Sequence, residues 1–402
     1  MVAHRAGCAW TLTALMLTLP KVAWSQDVSS LPDSPTPRVE AAFGEGVTFT
    51  APDDSFSLQL RGRMQLRATV IDAPEDDEEP NTELAVRRMR LALQGHVLTR
   101  DLTYKIQLGF SNLDTESDLR LPLRDAFLTW SPLRDLSLNA GQKKVAYGRQ
   151  RVISSSALQM VERSMVVGEL NLDRDVGAEL FSKDLFGLGG RLGYVLGVYG
   201  GDGRNRRGRD HGLLYAARLQ TRPFGAFDDH EEADLGREGK PRLSLGVGAA
   251  YNQNTNRPRS TFGDPYPEGD FDYVHLGADL VFKLGGFSLQ TEVLLRKANT
   301  ASRTLDVDGE PLAITSRSAR GAYVQAGQML TDHVEVTGRY GQLVPLSGNG
   351  DPNLVEAHEL GGGVSYYVHH HDLKVQGDYF YLPSDGFDDG AHQGRLQAQL
   401  YF

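Results

Sequence analysis

The chain is nearly devoid of cysteine, with Cys8 as the single thiol in 402 residues. Cys8 lies within an N-terminal apolar stretch that reads as a cleaved leader. The mature chain would then hold no thiol, which excludes a disulfide framework and a cysteine metal site. Long apolar runs are missing too: after the leader, charged residues interrupt every segment, so no run of about eighteen apolar residues exists and helical membrane spans are excluded. Catalytic signatures are equally scarce. No Ser/His/Asp or paired-carboxylate constellation can be located, and the glycine-rich stretch 187–203 lacks the strand–turn–helix frame of a nucleotide loop. His369-His370-His371 would alternate faces on a strand and sit at an expected turn, which argues against a metal site. Neither an enzyme, a cofactor, a metal nor a nucleic-acid partner is expected.

What the chain does have begins with that leader. His4 and Arg5 open it, apolar residues run from Ala9 to Leu19, and Ala23-Trp24-Ser25 offers a cleavage site before Gln26. Three parts are expected: a signal peptide over 1–25, a periplasmic lead-in over 26–55 with a short strand at Val47 to Thr50, and a β-domain over 56–402. Loss of Arg5 and Lys21 with the leader moves the formal net charge from −10 to about −12. The 44 glycines amount to about eleven per cent, against a usual seven or so.

From Phe56 onward the period is two. Phe56, Leu58, Leu60, Met64, Leu66, Ala68 and Val70 alternate with Ser57, Gln59, Arg61, Arg63, Gln65, Arg67 and Thr69. A helix would scatter these apolar residues around its axis, whereas a strand puts them on one face. The same alternation recurs down to Leu396, Ala398, Leu400 and Phe402, and sixteen such segments can be counted. Their lengths cluster near the span of a tilted membrane strand, about 9–11 residues plus extensions. Connections alternate between short and long, and tyrosines and phenylalanines gather near strand ends, as interfacial girdles would. A soluble sandwich would bury its apolar face under a second sheet and show irregular strand lengths. The expected fold is all-β: a transmembrane antiparallel β-barrel of sixteen strands with an inward-folded loop after strand five, in contact with outer-membrane lipid. One connection breaks the alternation. Residues 225–240, rich in Asp and Glu, fall where a short turn belongs, so either that turn carries an insertion or strands nearby are miscounted.

If the apolar register faces lipid, the other faces the lumen. It carries Arg61, Arg63, Arg67, Arg88, Arg90, Lys105, Arg218, Arg222, Arg242, Lys283, Arg296, Arg339, Lys374 and Arg395, against Glu179, Asp279, Glu292, Glu335, Glu359 and Asp378. The wall is basic although the chain is acidic, because the remaining acids lie in connections. A narrow low-dielectric passage focuses the field of its own lining, and rings of Arg and Lys select anions. The long connection 148–173 would narrow the passage if folded inward, bringing Arg149, Arg151 and Arg163 towards solute with Glu162 to orient one of them; an external lid is the alternative.

These residues also carry a family likeness. Leu123 to Thr129, Gly141-Gln142-Lys143-Lys144, Arg149 to Ser156, Gln159 to Ser164 and Arg174-Asp175-Val176-Gly177 resemble the phosphate-selective porin O and P family, with the specific motifs confined to about 120–181. The resemblance implies an outer-membrane porin of a Gram-negative bacterium, a homotrimer inserted by the outer-membrane assembly machinery. It also implies passive diffusion of small anions such as phosphate or polyphosphate. The anion-binding, pore-lining set would be Arg61, Arg63, Arg67, Arg88, Arg90, Lys105, Lys143, Arg149, Arg151 and Arg163. The chain departs from the family where Gly-Gln-Phe-Lys-x-Pro-Phe becomes Gly141-Gln142-Lys143-Lys144-Val145-Ala146-Tyr147, and 148–173 holds no lysine, which leaves the preferred anion open. The competing reading is a barrel that serves as scaffold for an enzyme or adhesin.

Overall fold

Alternating side chains on a closed sheet divide the chain into an apolar outside and a polar inside. A computed structural model describes residues 36–73, 79–116, 119–206, 212–307, 309–384, 386–387 and 389–402, so the expected signal peptide lies outside the described residues. The strands in chain order are β1 (Arg38–Ala42), β2 (Gly46–Thr50), β3 (Ser57–Asp72), β4 (Asn81–Val97), β5 (Thr99–Gly109), β6 (Leu123–Trp130), β7 (Ser137–Lys144), β8 (Arg174–Ser182), β9 (Leu192–Tyr199) and β10 (Leu214–Thr221). They continue as β11 (Arg242–Thr255), β12 (Phe271–Leu284), β13 (Phe287–Ala298), β14 (Ser302–Val307), β15 (Glu310–Thr315), β16 (Ala319–Met329), β17 (Val334–Pro345), β18 (Ala357–His369), β19 (Leu373–Pro383) and β20 (Gly390–Tyr401). Helix is confined to short turns, among them α1 (Arg149–Val152) and α2 (Met165–Leu170).

Among the described residues, β3 to β13 and β16 to β20 form a closed antiparallel ring of sixteen strands. Closure is made by β20 pairing with β3, from His392 opposite Asp72 to Tyr401 opposite Arg63. Gly62 N–H donates to the Phe402 carbonyl at 2.7 Å and Phe402 N–H to the Gly62 carbonyl at 3.1 Å. β20 ends there, leaving the first residues of β3, which pair with β4 on one side, without a wall strand on the other. β2 takes that place, pairing Val47–Thr50 with Leu60–Ser57, and β1 folds back on β2. The expected short strand at 47–50 is therefore half of a hairpin that covers an otherwise open edge. A second hairpin, β14 with β15, stands in the long connection after β13.

Leu60, Leu66, Val70, Leu196, Val247, Leu276, Val293, Leu360 and Leu396 are exposed on the outer register, while Arg63, Gln65, Arg88, Asp279, Lys283, Glu292, Arg296, Glu335 and Lys374 are buried on the inner one. This inversion of the usual soluble pattern is what a lipid solvent demands. Short connections, such as Gly285-Gly286 between β12 and β13, lie at one end, and long ones at the other. Residues 222–241 are the exception, a long connection at the short-turn end. The strand count is unaffected; the turn carries an insertion.

Candidate functional site

The site is the inner wall together with two connections that lie against it. Residues 145–173 leave β7 and return to β8, yet Val145, Tyr147, Ile153, Leu158, Met160, Val161, Val166, Val167 and Leu170 are buried. Their backbone is held by carboxylates of the inner register. Glu292 on β13 accepts from Arg149 N–H (2.7 Å) and Gln150 N–H (3.1 Å), Asp378 on β19 from Val161 N–H (2.9 Å), and Glu359 on β18 from Met165 N–H (3.2 Å). Glu335 on β17 accepts from the Gln159 amide at 2.5 Å, and Asp279 on β12 from Arg149 Nε at 2.5 Å. Five of the six inner acids read from the alternation are thus engaged by this one segment, which satisfies backbone donors that would otherwise be buried without partners. Three of them pair with wall arginines as well: Asp279 with Arg218 (2.7 Å), Glu359 with Arg339 (3.2 Å) and Asp378 with Arg395 (2.7 Å).

The segment's own acid, Glu162, meets the opposite wall. Arg67 approaches it at 2.9 Å, Arg88 at 2.8 Å and Arg87 at 3.4 Å. Burial pushes the Glu162 carboxyl up, but Arg88, Arg87 and Arg67 outweigh this and hold it well below the usual carboxylate range. Strict alternation would put Arg87 on the lipid side. A bulge corrects it: Gln65 pairs with Arg88 and Leu66 with Val86, so Arg87 is the extra residue and turns in beside Arg88. The signal available in the sequence was the pair of adjacent arginines itself.

The remaining basic residues divide sharply. Arg61 pairs with Asp372 (2.7 Å) under the Tyr401 ring, and Arg63 reaches the hydroxyls of Ser155 (3.0 Å), Tyr401 (3.3 Å) and Ser154 (3.4 Å). Arg149 is buried between Asp279, Asp229 and Ser244, and Arg151 pairs with Asp173. Arg163 donates to the Gln150 and Ile153 carbonyls at 2.9 and 2.7 Å, so it braces its own segment. Arg90 is held by Asp114, with Nε to Oδ2 at 2.9 Å.

Between this segment and strands β4 to β10 a cavity of about 780 Å³ remains. Its lining includes Arg90, Lys105, Lys143, Lys144, Arg174, Lys183, Arg218 and Arg222 against Asp125, Glu179, Asp228 and Asp229, eight basic groups to four acidic. Phe127, Phe181 and Tyr194 complete one side. Of the ten expected pore residues, Arg90, Lys105 and Lys143 line it; Lys143 pairs with Glu179, while Lys105 has no carboxylate within ion-pair distance among the described residues. A second cavity, of about 640 Å³, lies towards the short-turn end beside Arg38, His96 and Arg100, and shares Thr103, Lys105 and Phe127 with the first. The two spaces meet at Lys105.

A closed barrel with an apolar exterior and a charged, hollow interior is a channel architecture. The model of phosphate-selective porin O and P matches residues 58–400, nearly the whole chain. The chain belongs to that family. As a porin O and P member it is an outer-membrane porin, and its short turns mark the periplasmic end. Solved structures agree on the fold. The outer membrane channel DcaP of Acinetobacter baumannii is 14% identical, with 88% of this chain and 99% of that one covered and a TM-score of 0.56. An anion-selective porin from Comamonas acidovorans is 12% identical over 86% of this chain and 100% of that one, TM-score 0.56. OmpT of Vibrio cholerae in its trimer form is 14% identical over 87% of this chain and 100% of that one, TM-score 0.51.

Proposed function

We propose that the chain forms a water-filled channel for passive diffusion of small anions of the phosphate or polyphosphate type. In this reading residues 145–173 fold inward and narrow the barrel to one side. The observation that carries it is the cavity lining, basic by eight groups to four and including Lys105 without a carboxylate partner. Of the lining cations, Lys105, Lys144 and Lys183 have no carboxylate within ion-pair distance among the described residues, which supports a positive field where solute would pass. The Comamonas porin is described as anion-selective, in line with this reading. A homotrimer in the outer membrane of a Gram-negative bacterium is the assembly we assign, supported by the trimeric form of the OmpT neighbour. The decisive experiment is the reversal potential across a planar bilayer under a potassium chloride gradient. Anion selectivity is expected. A cation-selective or non-conducting wild type sinks the proposal.

A further inference from the structure

The connection 222–241, which should be a simple periplasmic turn, carries three buried acids. Asp229 and Glu232 are each 1% exposed and Asp234 is 6% exposed. Carboxylates in a turn have water at hand, and burying them is costly unless partners offset the loss. Their partners reach well beyond the connection itself. Asp229 accepts from Arg149 (3.0 Å) in the 145–173 segment, from Ser244 (2.6 Å) on β11 and from Arg222 (2.9 Å) at the start of its own connection. Burial pushes its carboxyl up, while His230, Arg222, Arg149 and Ser244 together hold it far below the usual range.

Glu232 is bound differently. Its carboxylate has no cation within ion-pair distance among the described residues and accepts only from amides. These are Gln159 N–H (2.8 Å), Gln150 Nε2 (2.9 Å), Gln325 Nε2 (3.0 Å) and Gln290 Nε2 (3.3 Å). Its own N–H donates to the Ala157 carbonyl at 3.0 Å. One side chain thereby ties the 145–173 segment to β13 and β16, reaching it from the periplasmic side.

We infer that the 222–241 connection is a second wall of the constriction, with Glu232 and Asp229 as its positioning residues. Glu232 sets where the segment sits. Asp229, which also lines the cavity, withholds the charges of Arg149 and Arg222 from it. The inference rests on the inward-loop reading above, yet the two can fail separately. Three variants of the full chain serve as the test: Glu232→Gln, Asp229→Asn, and replacement of 226–238 by Asn-Gly. Folding is checked by heat-modifiable mobility on gels. Glu232→Gln keeps the volume but turns an amide donor towards amide donors. It should speed hydrogen exchange across 150–160 about tenfold, the equivalent of one lost buried hydrogen bond, and raise unit conductance with little change in selectivity. Asp229→Asn should shift the reversal potential towards that of chloride, an effect a merely structural residue would not produce. The replacement should do both. Folded variants with unchanged exchange, conductance and reversal potential overturn the inference. If the wild type does not conduct, the proposed function falls, while the exchange arm still decides the positioning role. If the replacement does not fold, the two point variants decide.

Discussion

At the scale of single residues, arginine acts here in two ways that a charge count cannot separate. Arg88 is buried against Glu162 and the Gln65 amide oxygen, and it bridges the wall to the 145–173 segment. Arg88→Ala should therefore cost about 1–3 kcal/mol, the range for a lost hydrogen bond to a charged group, because Arg67 and Arg87 still face Glu162. Guanidinium unfolding in detergent micelles would show it, and a loss near zero would mean that Glu162 is satisfied without it. Lys105 holds no such partner and faces the space where the two cavities meet. Lys105→Gln should leave the unfolding midpoint within experimental error and lower the anion permeability ratio. Arg149→Ala should do the reverse, since its guanidinium is occupied by Asp279, Asp229 and Ser244. Equal effects on selectivity from both would contradict the division.

At the scale of elements, the β7 strand shows how a local backbone requirement shapes the wall. Gly141 has φ +129°, and a Cβ there would lie 2.2 Å from the Ala126 carbonyl oxygen of β6. Glycine adopts this conformation without penalty and any other residue is strained in it. Gly141→Ala should reduce the yield of heat-modifiable, folded barrel and weaken the β6–β7 pairing, read as faster hydrogen exchange over 126–130 and 138–142. Wild-type yield with unchanged exchange would show that the ladder tolerates the shift. The β3–β4 bulge belongs to the same scale: one unpaired residue, Arg87, changes which face a charge occupies.

At the scale of the whole molecule, stability depends on closure and on interior charge. Gly62 sits where the Phe402 ring crosses, with a Cβ position only 2.5 Å from a ring carbon. Gly62→Val should displace that exposed ring and lower the assembled fraction; undiminished assembly would show that the contact between the ring and β3 is dispensable. The pH response follows from interior carboxylates held low. The Glu162 and Asp229 carboxyls lie below their unfolded values, so their contribution is complete above the unfolded carboxylate pKa of about 4 and is lost as pH falls through the lower folded values. The share of the unfolding free energy that these two carboxylates supply should accordingly decline below about pH 4. A decline beginning near neutrality would show that other groups dominate.

Period-two alternation was enough to place all sixteen wall strands to within a few residues, because each strand needs only its own neighbours in sequence to declare which side meets lipid. The face of Arg63, Arg88 or Glu335 was legible for the same reason. Their partners were not. Glu162 meets Arg67 across 95 residues, Glu359 meets Met165 across 194, and Glu232 meets Gln325 across 93. No local pattern encodes contacts at such separations, so the even opposition of basic wall and acidic connections looked like a free basic lining. Only the tertiary structure decided otherwise. It set five of the six inner acids against one connection, three of them on its backbone, placed the acids of the 222–241 turn against its arginine and glutamines, and left Lys105 facing a cavity on one side.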